Sequence, residues 1–261
     1  RFKTLSRLSA NDAGQQRVTD ESIRDTLMDL ANYAIMTILE MDMEKGKEFR
    51  VGVIRVLTSE DQEFVDMHGN IIEQHYPGIR CISKCIPDQP EGIHSHELEQ
   101  IAVPKIVETA KSFEDVDMII VSCADDPGVE EVRRALPGMK VTGGGETTVS
   151  LAMRYGQKIA VLGIVDYAPK AYLRMIPERI VALGKPEGVD STLDLMTPEG
   201  RASCLKTARE LKEKGADVIA LGCTGLTTIG IAGEIEDEVG IPVIDPVLAE
   251  GLFAYFESIR R

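Results

Sequence analysis

The sequence predicts an α/β protein built from two similar lobes related by a pseudo-twofold axis, each a four-stranded, mainly parallel sheet flanked by helices, preceded by an N-terminal helix. Three observations carry this. From residue 49 onward, short runs rich in Val and Ile alternate with stretches of helical period, the pattern of βα units around a parallel sheet. The second half repeats the first: RVGVIRVLTSED (50–61) lies over KIAVLGIVDYAP (158–169), VDMIIVSCADDPG (116–128) over ADVIALGCTGLTT (216–228), and GMKV (138–141) over GIPV (240–243), at offsets of 108, 100 and 102. Finally, 261 residues with 43% apolar and 28% charged side chains have an ordinary globular composition, with chain enough for a real core.

Residues 1–48 read as an N-terminal extension. The first 17 are basic and begin with Arg, a weak likeness to a transit peptide, and stand outside the fold. Over 20–45, Ile23, Leu27, Leu30, Ala34, Ile38 and Met41 recur three and four apart, the stripe of one amphipathic helix with Asp20 and Glu21 at its start and Gly46 at its end. The first lobe spans 49–147, with strands expected at 51–57, 81–86, 118–123 and 140–142 and helices at 97–111 and 129–136. The second spans 148–261, with strands at 159–165, 179–183, 218–223 and 243–244; helices are expected at 147–155, 200–214, 230–239 and 247–259.

The charge sum, 29 basic against 43 acidic residues, is −14 with no basic cluster against it, so nucleic acid and anionic membrane surfaces are poor partners. No apolar run approaches the roughly 18 residues of a membrane span. Five cysteines with no secretory segment before them read as free thiols of a cytoplasmic protein.

Chemistry concentrates where the repeat puts it. Cys123 and Cys223 occupy matched positions, each as the last residue of an apolar strand, and parallel sheets bind ligands beyond the carboxyl ends of their strands. Two lobes facing their strand ends across one cleft present one thiol from each side, which suits removal of an acidic proton from one face of a stereocentre and its return to the other. Asp126-Pro127 reads as an N-cap and first helical residue, bringing a helix N-terminus to Cys123, while Thr224, Thr227 and Thr228 offer capping oxygens after Cys223; both features lower a thiol pKa, whereas Asp125 and Asp126 raise it. Thr58-Ser59 follows the first strand. GGGE (143–146) with Thr147 and Thr148 follows the fourth, its amides free to face an anion. The spacing is not that of a dinucleotide or P-loop site, and no GxSxG elbow is present. Cys81 and Cys85 with His94 and His96 have poor geometry for a metal, being two pleats apart on one strand face. Cys204 reads as core, and His68 and His75 as solvent-facing.

SCADDPG around Cys123, GGGE ending at Glu146, GCTGL around Cys223 and DPV beginning at Asp245, in this order, resemble the aspartate/glutamate/hydantoin racemase superfamily over residues 49 to about 257. Cys-x-x-Asp-Pro-Gly and Gly-x-Gly-Glu are similar to its hydantoin and allantoin racemase branch. The resemblance implies a cofactor-independent and metal-free enzyme with Cys123 and Cys223 as paired acid and base. A small molecule is then held by Thr58, Ser59, Ala124, Asp125, Gly145, Glu146, Thr147, Thr224 and Gly225. The chain departs from the branch where RVLTS replaces an Asn-Pro-containing loop, and from glutamate racemases where Gly225 replaces a His. An aspartate or glutamate racemase ranks second, since no Lys or Arg falls in the expected strand-end loops. A maleate-type cis/trans isomerase uses the same two cysteines, whereas arylmalonate-type decarboxylases keep one. A non-catalytic binding protein and a disulfide-switched redox protein are the alternatives of other classes. The N-terminal helix suggests a homo-oligomer.

Overall fold

The computed structural model describes residues 28–37, 48–89 and 92–260. The chain divides into two compact units, Arg1–Lys47 and Glu48–Arg261. In the first, residues 28–37 are helical, within the helix predicted over 20–45; the rest of that prediction and the segment 1–17 lie outside the described residues. Among the described residues no helix is long and apolar enough to cross a membrane.

The second unit begins with β1 (Phe49–Arg55), α1 (Gln62–His75), β2 (Ile79–Cys85), α2 (His96–Lys111), β3 (Met118–Ser122), α3 (Val129–Ala135), β4 (Lys140–Gly143) and α4 (Gly144–Tyr155). It repeats as β5 (Ile159–Leu162), α5 (Lys170–Met175), β6 (Ile180–Gly184), α6 (Pro198–Glu213), β7 (Val218–Leu221), α7 (Thr224–Thr228), α8 (Ala232–Val239), β8 (Val243–Ile244) and α9 (Pro246–Ile259). The strands form two sheets, in the orders β2-β1-β3-β4 and β6-β5-β7-β8, with every pairing parallel. The sequence repeat is therefore a repeat of topology. Its matched aspartates do matched work: the Asp117 carboxylate accepts from the Arg50 amide and that of Asp217 from the Lys158 amide, tying the start of β3 to β1 and of β7 to β5.

Each sheet buries one face under its own helices. Ile54, Ile119 and Val121 pack with Ala102 and Ile106 of α2 and Val132 of α3, and Leu162, Ile219 and Leu221 pack with Ala208 and Leu211 of α6 and Ile235 of α8. The other two faces are covered by exchange. Val149 and Ala152 of α4, which follows the first sheet, pack with Val161, Val218 and Ala220 of the second, whereas Val247 and Ala254 of α9, which follows the second sheet, pack with Val51, Val53 and Ile120 of the first. α4 and α9 also pack against each other. The contact between α4 and α9 thus joins the two halves.

Several expected boundaries move. The first, third, fifth and seventh strands end at Arg55, Ser122, Leu162 and Leu221, earlier than their apolar runs, because Val56, Leu57, Ile164 and Val165 line a cleft instead of extending the ladder. The helix expected at 147–155 starts at Gly144, the glycines forming its first turn, and that expected at 230–239 is preceded by the separate turn α7 and by Gly230 at φ +62°. His68, expected in solvent, is 1% exposed, on the α1 face packed inward; Cys204 is fully buried, as expected.

Local packing predicts opposite outcomes at two helical glycines, Gly251 in α9 and Gly233 in α8. A Cβ at Gly251 meets the Tyr76 ring at 2.4 Å, and that ring is pinned by its hydroxyl donating to the Leu248 carbonyl; a Cβ at Gly233 meets nothing within 4 Å. Gly251→Ala should destabilise by about 1–3 kcal/mol through overpacking, and Gly233→Ala should stabilise by about 0.4–1 kcal/mol, read as shifts of the urea midpoint.

Candidate active site

In each sheet the chain order reverses beside the first strand, between β1 and β3 and between β5 and β7, and the crevice beyond such a switch point is where parallel sheets hold ligands. Register fixes what stands there. Arg55 pairs with Ser122 and Leu162 with Leu221, so the next residues past the ladder are Val56 and Cys123 in one sheet and Gly163 and Gly222, then Cys223, in the other. The loops from all four strands line one cleft of about 900 Å³, open solvent at its mouth included. Cys123 and Cys223 both stand on its wall, one from each repeat, with Ala124, Asp125, Thr224 and Gly225 beside them.

Cys223 is the N-cap of α7, in extended backbone, and its Sγ accepts from the Gly225 amide at 3.3 Å. It thus does the capping expected of the nearby threonines, of which Thr227 instead donates to Asp245 and Thr228 to the Thr224 carbonyl. Burial nevertheless raises the Cys223 thiol to about 11, the amides of Gly225 and Leu226 opposing. Cys123 is pushed well above the usual thiol range by burial first, with Asp125, Cys223 and Asp126 adding to the rise and the Asp125 amide opposing. The direction left open by the sequence is decided by desolvation, for both thiols.

The expected helix start at Asp126-Pro127 is not formed. Asp126 lies at φ +53°, Gly128 at φ +72° is the N-cap, and α3 begins at Val129. The Asp126 carboxylate instead crosses to α4, accepting from the amides of Gly145 at 2.7 Å and Glu146 at 2.8 Å. Burial raises this carboxyl to about 7, the Gly145 amide opposing. The amides of Gly145 and Glu146 are therefore occupied by the chain's own carboxylate. Glu146 accepts from Thr142 at 2.7 Å and pairs with Arg133, and buried Thr147 donates to the Gly143 carbonyl at 2.9 Å. Gly145, Glu146 and Thr147, expected to bind substrate, stand outside the cleft for this reason. Thr58 donates to the Ile86 carbonyl at 2.6 Å and accepts from the Gln89 amide at 2.7 Å, and Ser59 accepts from the Asp61 amide. Both line an adjoining recess that shares Leu57, Phe64, Thr192, Leu193 and Met196 with the cleft.

Other residues of the site escaped the sequence reading. Arg55, in the middle of an apolar run, is 3% exposed and lines the cleft, correcting the expectation that no cation stands there. Under the floor, His68 Nδ1 meets Ser122 Oγ at 2.8 Å and its Nε2 meets Thr228 Oγ1 at 3.2 Å, so one imidazole joins the loops of both cysteines. Ser122 Oγ donates to Glu250 of α9 at 2.8 Å. Burial, with Arg55 adding, pushes His68 well below its usual range and keeps it neutral; burial pushes Glu250 well above its own. Asp125 accepts from the Lys170 amide at 2.8 Å, and the Lys170 ammonium pairs with Glu99, a strap from the second repeat to the first at the cleft rim.

A family model described as Asp/Glu/hydantoin racemase matches residues 62–250. A hydantoin racemase of Pseudomonas sp. (strain NS671) is 27% identical over 180 residues, 63% of this chain and 68% of that protein. Among solved structures, an allantoin racemase from Pseudomonas fluorescens superposes with a TM-score of 0.70 at 21% identity, covering 81% of this chain and 91% of that one. A maleate cis-trans isomerase of Nocardia farcinica, bearing a covalently bound succinylcysteine intermediate, superposes with a TM-score of 0.60 at 17% identity, over 81% and 92%. With two repeated sheets around one cleft and a family match over most of its length, the chain belongs to the Asp/Glu/hydantoin racemase family and is an isomerase of the racemase kind.

Proposed function

We propose that the chain racemises a carbon next to a carbonyl in a cyclic ureide of the hydantoin or allantoin kind, with Cys123 and Cys223 as paired acid and base and no cofactor. The observation that carries this reading is the pair of thiols at matched strand ends, lining one cleft from opposite repeats. One thiolate takes the α-proton from one face, and the opposite thiol delivers a proton to the other; run in reverse, the roles exchange. Because burial holds both thiols up, the reacting thiolate–thiol pair is a minor form near neutral pH, and a bound ring that displaces water completes the site. The relatives named hydantoin and allantoin racemase support the ureide class. Val56, Leu57, Phe64, Ile164, Val165 and Met196 make the wall largely apolar, which favours a hydantoin with an apolar 5-substituent over allantoin with its polar ureido group. Arg55 supports a second reading, an aspartate or glutamate racemase; it ranks behind because one cation among apolar residues meets two substrate carboxylates poorly. Five free cysteines fit a cytoplasmic enzyme, and we take the active form to be a homo-oligomer of two-lobed subunits.

Cys123→Ala and Cys223→Ala should each lower the racemisation of 5-benzylhydantoin, followed as loss of optical rotation, by at least about 10³-fold with an unchanged far-UV spectrum. Normal turnover by either variant contradicts the two-thiol mechanism. The pH dependence has a definite sign. A base whose pKa is raised above its usual value gains its reactive form as pH rises, so kcat/KM should climb about tenfold per unit between pH 6.5 and 8.5, still below the Cys223 value of about 11. A flat profile over that range would show that desolvation does not control the thiols.

A further inference from the structure

Arg55 is a buried charge that lacks a buried countercharge. Its Nη1 donates to the carbonyls of Phe64 at 2.6 Å and Val65 at 3.2 Å, and its guanidinium lies 4.9 Å over the Phe64 ring. Among the described residues no carboxylate comes within ion-pair distance of it, its hydrogen bonds to protein are made by Nη1, and the residue lines the cleft. The fields of Cys85 and then Glu250 reach it; burial pushes the Cys85 thiol up, and Glu250 is fully buried, hydrogen-bonded to Ser122 and favoured by burial as its neutral acid. Charges taken out of water are normally paired, and an Arg without an ion pair in a largely apolar cleft is a preformed receptor for an anionic oxygen. Register puts this receptor beside the reacting groups: Arg55 is the ladder partner of Ser122, the residue before Cys123.

We propose that Arg55 donates from Nε and Nη2 to the substrate's carbonyl oxygen and holds the negative charge that develops there as the α-proton leaves. The assignment rests on the racemase reading above. When the thiolate takes the α-proton, the C–H electron pair moves into the bond to the carbonyl carbon and the carbonyl π pair moves to oxygen. When the opposite thiol returns a proton to carbon, the pairs move back, and no oxidant or other reactant is required. Donors aimed at the charge of the intermediate act on the rate more than on substrate binding. The Gly145 and Glu146 amides, spent on Asp126, cannot serve this purpose.

The test is a binding comparison at pH 8 by calorimetry. Urazole is a planar anion at that pH with the outline of an enolised hydantoin ring, and hydantoin is its neutral counterpart. Wild-type protein should prefer urazole by about 10- to 100-fold, Arg55→Gln should lose that preference while binding hydantoin within a few-fold of wild type, and Arg55→Lys should keep part of it. Equal binding of the two by wild type, binding of neither at millimolar concentration, or an undiminished preference in Arg55→Gln overturns the assignment. A purely structural Arg55 lowers the melting temperature of both variants and leaves the preference alone; should Arg55→Gln not fold, the wild-type and Arg55→Lys measurements still decide. Deuterium uptake at C5 of 5-benzylhydantoin by wild type separates the two readings. Preference without uptake sinks the racemase reading and keeps the anion site, while uptake without preference sinks the Arg55 assignment alone.

Discussion

Parallel pairing of β3 on β1 and of β7 on β5 brings the residues just past each ladder to the wall of the cleft, and in both repeats a cysteine stands there. Packing within residues 48–261 holds those two strand ends against each other. The exchanged helices α4 and α9 each cover the sheet of the other half, so the lobes cannot drift apart without exposing the interior. His68 adds a polar tie at the cleft floor, bridging Ser122 beside Cys123 and Thr228 behind Cys223, and Lys170 adds another at the rim.

Burial sets the charge state of this centre more than local hydrogen bonds do. The Gly225 amide meets the Cys223 sulfur and the Asp125 amide opposes the rise of Cys123, yet both thiols titrate above their usual range. His68 is neutral and Glu250 is held toward its acid form for the same reason. Arg55 remains as a buried charge with no ion pair among the described residues, held by two carbonyls and the Phe64 ring. Thiols held up in this way leave little thiolate at neutral pH, and under the mechanism we propose the positive charge of Arg55 acts when negative charge forms on the substrate.

Much of this was legible in the sequence, because it resides in periodicity and repetition. The eight strands, the matched aspartates and the paired cysteines follow from apolar runs and from a repeat near 100 residues. What did not follow were contacts across loops. Asp126 looked like the cap of the helix after it and instead caps α4, nineteen and twenty residues onward, which occupies the Gly145 and Glu146 amides. Thr58 and Ser59 were spent on loop hydrogen bonds. His68 belongs to a helix with a polar sequence and is buried only because α1 turns that face to Ser122 and Thr228. Arg55 could have been noticed, since a charge inside RVGVIRVL at a strand's carboxyl end is expensive unless something uses it.

The measurement that bears most directly on two opposed thiols is a single-turnover reaction of each pure enantiomer of 5-benzylhydantoin in deuterated water, with product enantiomers separated and their C5 deuterium counted. The account predicts that, early in the reaction, deuterium appears in the inverted product while the unreacted enantiomer stays protiated, whichever enantiomer is supplied. Early deuterium in the retained enantiomer, at a rate matching inversion from either side, would mean that one base serves both faces and would contradict it.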